Sequence, residues 1–228
     1  MRQTLLAVLL LTLAVPSFAA TYYCATTGND AAAGTEGAPW RSIKVSVAKL
    51  ADGDTLMVQP GTYTDYNVSP GIRAVPVTVQ SVVPRAAIID GAGSNNAAFG
   101  SVSGIPLQKG LRVIGMKLQN FWACGVQTEQ SEDWYLENCE ITTCQTAAVK
   151  VAGPGSNWTL KNCYIHDNSH GLSFGWGAVN GILIEDCVLE NNVTLANPNS
   201  DGMSIEVACS NVVVRRTTSS GHGDAGLM

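Results

Sequence analysis

The second half of the chain repeats one pattern of apolar and polar positions about every 24 residues. Five eight-residue segments share the pattern and begin 23, 24, 24 and 30 residues apart, at 111–118, 134–141, 158–165, 182–189 and 212–219. Each segment alternates or runs apolar for a few positions and then reaches a polar turn rich in Asn, Gly, Ser and Asp. Short runs of this kind, rich in β-branched residues and bounded by turn residues, predict strands.

A second short apolar element follows each turn, and no helix-forming stretch lies between the two. These elements are Gly125-Val126, Ala148-Val149, Gly171-Leu172, Gly202-Met203 and Gly226-Leu227. A unit of two or three strands cannot bury its own apolar face, so successive coils must stack with each strand parallel to its copy. The lack of a helix argues against leucine-rich repeats, and the period does not fit a left-handed hexapeptide solenoid. The pattern predicts an all-β fold, a right-handed parallel β-helix.

Stacking places equivalent positions of the repeats over one another in columns. One column contains Met116, Cys139, Cys163, Cys187 and Thr217. Neighbouring strands lie about 4.8 Å apart with parallel Cβ directions, whereas a disulfide needs Cβ atoms roughly 3.5–4.5 Å apart. We therefore expect these three cysteines to stay reduced and fill the interior. A turn column of Asn168, Asn192 and His222 predicts a ladder of side-chain hydrogen bonds. The pairing of the other cysteines stays open at this point: Cys24, Cys124, Cys144 and Cys209.

The N-terminal part of the chain predicts export and a covered first coil. Residues 1–19 combine Arg2 with an apolar run from Leu5 to Val15 and small residues near Ala19, the pattern of a signal peptide. The run is too short to span a bilayer. We therefore expect a secreted protein, periplasmic or extracellular, whose β-helix domain comprises residues 20–228. Strands are predicted at 55–58, 77–80 and 87–90, and apolar residues at helical spacing after Pro39 predict a capping helix within 40–50.

The composition disfavours nucleic-acid binding, and the C-terminal end of the chain predicts a fragment. The net charge is −5 and 14% of residues are charged, so we expect no basic face for nucleic acid. An acidic polymer bound through metal ions remains compatible with this charge. The last repeat reaches Met228 within a predicted strand and without a capping segment. The chain is therefore expected to be an N-terminal fragment, itself inactive, of a longer β-helix protein that is monomeric at full length.

Short motifs near the N-terminus resemble the cap and first coil of secreted pectate-lyase-like β-helix proteins. They are Tyr22-Tyr23, Thr27-Gly28-Asn29-Asp30, Gly34-Thr35, Pro39-Trp40, Gly53-Asp54-Thr55 and Pro60-Gly61-Thr62-Tyr63. The resemblance continues through the repeats and covers essentially the whole mature chain. It implies the right-handed β-helix fold. That superfamily includes polysaccharide lyases, glycoside hydrolases and non-catalytic surface proteins, so the resemblance leaves the activity open.

Two further motifs resemble those of the family-nine pectate lyases. The segment 199–202, Asn-Ser-Asp-Gly, is similar to their Asn-x-Asp-Gly element, and 223–226, Gly-Asp-Ala-Gly, to their Asp-Asp-Gly element. Ala225 stands where that family has a second aspartate. The resemblance implies that Asp201 and Asp224 bind Ca²⁺, which neutralises the uronate carboxyl group of an acidic polysaccharide for β-elimination. The basic residue that removes the proton is then expected beyond Met228.

Spacing in the chain agrees with that implication. Asp201 and Asp224 are 23 residues apart, one repeat, so their carboxylates are expected on neighbouring coils. An insertion of about six residues, around 194–200, lies beside them, and insertions in solenoids commonly build the binding face.

Two alternatives to a polysaccharide lyase remain. In the first, the protein is a non-catalytic surface or carbohydrate-binding β-helix, and Asp201 and Asp224 only cap turns beside glycines. In the second, segments 199–202 and 221–223 resemble parts of polygalacturonase-type hydrolases, although the paired carboxylates that hydrolysis needs cannot be assembled. The lyase is the favoured interpretation, and the residues do not specify its substrate.

Overall fold

Three parallel sheets wind together into a coiled wall, and a typical coil contributes one strand to each sheet. The computed structural model describes residues 19–100, 107–175, 177–193, 200–205 and 208–228. The first sheet contains, in pairing order, β1 (Thr21–Cys24), β2 (Thr55–Val58), β4 (Ile72–Ser81), β7 (Gln108–Ile114), β10 (Ser131–Glu137), β13 (Gly155–Lys161), β16 (Val179–Glu185) and β19 (Ser210–Arg215).

The other two sheets have the same pairing from coil to coil. The second sheet contains β3 (Gly61–Tyr63), β5 (Ala87–Asp90), β8 (Lys117–Gln119), β11 (Glu140–Thr142), β14 (Tyr164–His166), β17 (Val188–Glu190) and β20 (Thr218–Ser220). The third contains β6 (Phe99–Gly100), β9 (Cys124–Thr128), β12 (Ala147–Val151), β15 (Leu172–Phe174) and β18 (Met203–Ile205). The predicted all-β, right-handed parallel β-helix is confirmed.

The register of the sheets follows the sequence repeat. Trp134 pairs with Leu111 on one side and with Trp158 on the other, and the two indole rings stack with centroids 5.2 Å apart. The same level continues through Ile182 and Val212. These five residues are the first positions of the five predicted segments. The repeat length in the sequence is therefore the length of one coil.

The interior is built from the columns that the sequence predicts. Met116, Cys139, Cys163 and Cys187 are at most 2% exposed. None of the seven cysteines, all of which lie in the described ranges, forms a disulfide, which confirms the reduced column and answers the open question of the other four. Burial raises the pKa of Cys124 to about 12. Few thiolates form there at neutral pH, so this thiol is a packing group rather than a nucleophile.

A turn of the backbone inside each predicted segment leads from the first sheet to the second. We call these turns the first corner. The fifth residue of each segment has a positive φ, between 50° and 64°: Gly115, Asn138, Asn162, Asp186 and Arg216. Glycine, asparagine and aspartate enter this region most easily. Each segment that the sequence analysis treated as one unit thus contributes strands to two sheets.

A short helix covers the first coil, but it begins later than predicted. Helix α1 runs over Ile43–Lys49, and the hydroxyl of its N-cap residue Ser42 accepts the Val45 N–H at 3.3 Å. The expected start after Pro39 was wrong because Trp40 instead forms a parallel bridge with Cys24 and stacks on Tyr22 at 4.8 Å. The helix buries Ile43 and Val47 completely, as a cap should.

The remaining N-terminal predictions have mixed outcomes. Strands predicted at 55–58 and 87–90 coincide with β2 and β5, whereas β4 extends the predicted 77–80 at both ends. The predicted signal peptide lies outside the described residues apart from Ala19, so it stays a prediction. No helix among the described residues is long and apolar enough to cross a membrane.

Candidate functional site

The turns between the second and third sheets form one edge of the solenoid, which we call the second corner. Its described residues, coil by coil, are 91–98, 120–123, 143–146, 167–171, 191–193 with 200–202, and 221–226. Residues 194–199, the predicted insertion, lie outside the described residues. Asp201 and Asp224 are on the last two of these coils.

The structure places Asp201 and Asp224 on neighbouring coils but in different surroundings. The Asp224 N–H donates to the Ser200 carbonyl at 3.0 Å, and the Ala225 N–H donates to Oδ1 of Asp201 at 3.3 Å. Asp224 is therefore level with Ser200, one position out of step with Asp201. Asp201 is 5% exposed, whereas Asp224 is exposed to solvent. The corner brings the two residues together in space without giving their carboxylates equal access.

Close packing explains the glycine that follows Asp201. A Cβ atom at Gly202 would lie 2.3 Å from Nε2 of His222 and 2.4 Å from Oγ of Ser219. At contacts this short, a Cβ atom would force Ser219 and His222 to move. Packing in this chain therefore favours the Gly of the Asn-x-Asp-Gly motif, whatever the aspartate does.

Hydrogen bonds between coils hold the second corner in place. The Cys144 N–H donates to Oδ1 of Asn168 at 2.9 Å, the Asn168 N–H to Oδ1 of Asn192 at 3.2 Å, and the Asn192 N–H to Nδ1 of His222 at 3.1 Å. This confirms the predicted ladder, with histidine in the place of a third asparagine. Because Nδ1 of His222 accepts a backbone N–H, the ring must be neutral there. Burial correspondingly lowers the pKa of His222.

The described part of the corner does not form a complete calcium site. Ca²⁺ takes about six to eight oxygen ligands. No group of three or more Asp, Glu, His or Cys side chains is arranged to hold a metal ion in the described ranges. Asp201 and Asp224 suit Ca²⁺ in donor type but are too few. Beside them, the Asp201 N–H donates to Nδ1 of His170 at 3.2 Å, so the side chain that contacts the Asp201 backbone is an imidazole.

Basic residues lie mostly away from the second corner. Lys161 and Arg215 lie on the first sheet, and Arg216 lies at the first corner. All three pair with Glu185. Lys150 is on β12, in the third-sheet column that continues to Ser173 and Ser204. It is the only Lys or Arg among the described residues of that sheet, and β12 is two strands away from β18, which follows Asp201. None of these positions was predicted to be catalytic.

An exposed aromatic residue at the same corner was missed by the sequence analysis. Trp122 is 59% exposed and lines a cleft of about 520 Å³ with Ala92, Gly93, Asn120, Phe121, Thr143 and Gln145. The signal was present in the repeat alignment, because the next coils carry the polar residues Gln145 and Ser169 at this level. A tryptophan in a turn column of polar residues is a deviation that packing does not require.

The comparisons with known proteins concern the fold. Among solved structures, the pectate lyase Pel9A superposes with a TM-score of 0.59 at 17% identity, over 92% of this chain and 50% of the lyase. A rhamnogalacturonan lyase gives a TM-score of 0.41 at 12% identity, over 90% of this chain and 62% of that protein. The chain thus spans about half the length of the pectate lyase. No curated protein sequence matches it significantly.

The sequence model described as "Right handed beta helix region" matches residues 103–227. This match covers more than half of the chain, and it includes all five repeats and both aspartates of the second corner. Within the matched residues, the structure shows stacked parallel strands, the interior cysteine column and the hydrogen-bonded second corner. The chain belongs to the right-handed β-helix family.

Proposed function

We propose that the chain belongs to a secreted carbohydrate-active protein that acts on an acidic, uronate-containing polysaccharide along the second corner. The observation that carries the proposal is the placement of Asp201 and Asp224 on neighbouring coils beside the inserted segment. A polymer is a suitable ligand for such an edge, because stacked coils repeat the same surface along the solenoid axis. The similarity of fold to a pectate lyase is compatible with this proposal.

We further propose β-elimination assisted by Ca²⁺ as the reaction. Asp201 and Asp224 would supply two carboxylate ligands, and the polymer carboxylate and water would supply others, since these two residues alone are too few. With Ca²⁺ held by these residues, the uronate carboxyl group would be neutralised and the neighbouring proton would become more acidic. Asp224 is exposed, so its carboxylate would be the one that can face the polymer. Asp201 is buried and anchors the Ala225 N–H of the next coil.

Substitution of each aspartate by asparagine tests this proposal. In the protein at its full natural length, Asp224→Asn should lower the rate of polygalacturonate or alginate cleavage by roughly a hundredfold or more, because a metal ligand is lost. The unsaturated product is followed by its ultraviolet absorbance, with and without a chelator. Asp201→Asn should lower the rate similarly.

Asp52→Asn is the matched control, since Asp52 is exposed and its carboxylate instead accepts the Ala74 N–H at 2.9 Å near the first coil. Its rate should equal that of the unchanged protein. A product that forms equally well in the presence of chelator would contradict the role of Ca²⁺. Failure of the unchanged protein to cleave any uronate polymer would remove the lyase proposal.

A non-catalytic, carbohydrate-binding β-helix is the second candidate function. It is favoured by the burial of Asp201 and by its hydrogen bond to the Ala225 N–H, the arrangement of a turn-capping aspartate. On this alternative, Asp201→Asn destabilises the last coils, and polysaccharide binding occurs without any product. Measuring binding and cleavage on the same samples distinguishes the two functions.

A further inference from the structure

Trp122 differs from the other tryptophans that the structure describes. Trp40, Trp134 and Trp158 are at most 5% exposed, whereas Trp122 is 59% exposed. The indole is the largest apolar side chain, and leaving it in water forgoes the stabilisation of burial. Trp122 lies at a turn, and the equivalent position on the next coil is the polar residue Gln145. Tryptophan, which combines an apolar ring with a polar N–H, is enriched at binding surfaces.

The cleft beside Trp122 has the size and composition of a small polar binding site. Its volume is about 520 Å³, within the usual range of roughly 300–1,000 Å³ for small-molecule sites. Ala92 and Gly93 contribute little or no side chain to the lining, and Asn120, Thr143 and Gln145 provide amide and hydroxyl groups. A flat apolar ring next to neutral hydrogen-bonding groups matches the two kinds of surface on a sugar ring, apolar C–H faces and hydroxyl edges.

The turn that carries Trp122 is held from both neighbouring coils. The Trp122 N–H donates to the Ser94 carbonyl at 2.9 Å, and the Thr146 hydroxyl donates to the Trp122 carbonyl at 3.3 Å. The Asn120 N–H donates to Oγ1 of Thr143 at 3.1 Å. The cleft is therefore preorganised, which reduces the entropy lost when a ligand binds.

The charge of the cleft selects against a uronate at this position. None of the residues that line it is charged. The carboxylate of Asp90 accepts hydrogen bonds from Gln119 at 2.7 Å and from the lining residue Asn120 at 3.0 Å. A second negative charge beside Asp90 would be repelled, and no lysine or arginine lines the cleft to offset it. The ligand that fits is an uncharged sugar.

We propose that Trp122 is the stacking platform of a subsite for a neutral hexopyranose residue of a polysaccharide. Trp122 and Asp201 are on the same corner, three coils apart, so they are separated by about 14 Å along the solenoid axis at ~4.8 Å per coil. One polymer running along the corner reaches both. This inference rests on the proposed function for the polymer, and it specifies a polysaccharide that contains neutral residues as well as uronates.

Affinity electrophoresis of the protein tests the subsite apart from catalysis. Gels contain β-1,4-galactan, glucomannan or xyloglucan as neutral probes, and polygalacturonate as the acidic probe. At least one neutral polymer should retard the unchanged protein. Trp122→Ala should weaken that binding roughly tenfold, the usual effect of losing one stacked ring, and Trp122→Phe should retain most of it. Polygalacturonate retardation should stay the same in Trp122→Ala.

Tyr135→Ala is the matched control, because Tyr135 is a partly exposed aromatic residue on β10 of the first sheet, away from the second corner; its binding should not change. A second measurement needs no substitution: the neutral probe should protect tryptophan fluorescence from iodide quenching. The subsite is refuted if no neutral polymer retards the protein, if Trp122→Ala binds as tightly as the unchanged protein, or if Tyr135→Ala weakens binding as much as Trp122→Ala. If only neutral binding fails while uronate binding persists, the subsite is wrong and the proposed function stands.

Discussion

Asn192 shows how a single buried side chain can join three coils. It is fully buried, and its Oδ1 accepts both the N–H and the Nδ2 of Asn168, at 3.2 and 2.9 Å. Its own Nδ2 donates to the Ile165 carbonyl at 3.0 Å, and its N–H donates to His222. In the low dielectric of the interior these bonds are strong, and removing the amide leaves several polar groups unsatisfied.

Asn192→Ala should therefore destabilise the protein by about 2–4 kcal/mol, since each buried group left without its partner costs ~1–3 kcal/mol. The measurement is the free energy of unfolding in urea, followed by circular dichroism. Asn95→Ala, at an exposed position of the same corner, should change it little. Equal effects of the two substitutions would contradict a structural role for the ladder.

The ladder and the cysteine column could be predicted because they depend only on spacing. Residues one repeat apart stack, so Cys139, Cys163 and Cys187 form a file without any knowledge of their contacts. The environments of Asp201 and Asp224 could not be predicted in this way. A shift of one position between neighbouring turns buries one carboxylate and exposes the other, and such shifts depend on backbone geometry within the corner.

At the scale of strands and turns, the first corner has a sequence signal that the repeat pattern alone did not separate. Asn138, Asn162 and Asp186 have positive φ values of 53–55°. Asparagine and aspartate tolerate this conformation better than other residues with a Cβ. Their recurrence at the fifth position of each segment is a turn signal inside an otherwise strand-like run. Recognising it would have divided each predicted segment into two strands.

The outer face of the second sheet carries a charged cluster centred on Glu140. Its Oε1 lies 2.7 Å from Nζ of Lys117 on β8 and 3.5 Å from Nε2 of His166 on β14. Its Oε2 lies 3.9 Å from Nη1 of Arg85. Burial disfavours the charged carboxylate, but the interactions with Lys117 and His166 outweigh it and hold the pKa of Glu140 below its usual value of 4.5.

A lowered carboxyl pKa makes this cluster stabilising above about pH 4.5, and that contribution is lost as the pH falls through the pKa of the folded state. Glu140→Gln should therefore lower the urea midpoint at neutral pH, and its difference from the unchanged protein should shrink below pH 4.5. Glu36→Gln, at an exposed position near the N-terminus, is the control and should show no difference at either pH. A difference for Glu140→Gln that stays constant with pH would contradict the ionic origin.

For the molecule as a whole, stability is distributed along the solenoid axis, because each coil contacts mainly its two neighbours. The stack of Trp134, Trp158 and Phe174 illustrates this distribution. The first two rings lie 5.2 Å apart, and Phe174 meets Trp158 edge-on at 5.9 Å. Trp158 is 1% exposed, so its ring is enclosed in the interior of the solenoid.

Trp158→Ala should destabilise its own coil and the adjacent ones by about 3–5 kcal/mol, the usual range for removing a buried tryptophan. Hydrogen exchange with mass spectrometry should show faster exchange in β10, β13 and β16. Strand β2, which is three strands away from β10 in the first sheet, should keep its protection. Uniform loss of protection along the chain would instead show that all coils unfold as one unit.

The nearly equal length of the coils restricts which insertions and deletions such a solenoid tolerates. Adding or removing one residue within a strand would move every following side chain of that strand to the opposite face. Removing one entire repeat of 24 residues, by contrast, would bring together the coils on either side of it, and their strands would pair in the same register as before. The extra residues around 194–199 come between β17 and β18, and pairing on both sides of them continues without a shift. Growth and shortening of this architecture are therefore expected to occur in whole turns of the chain, or as loops confined to its edges.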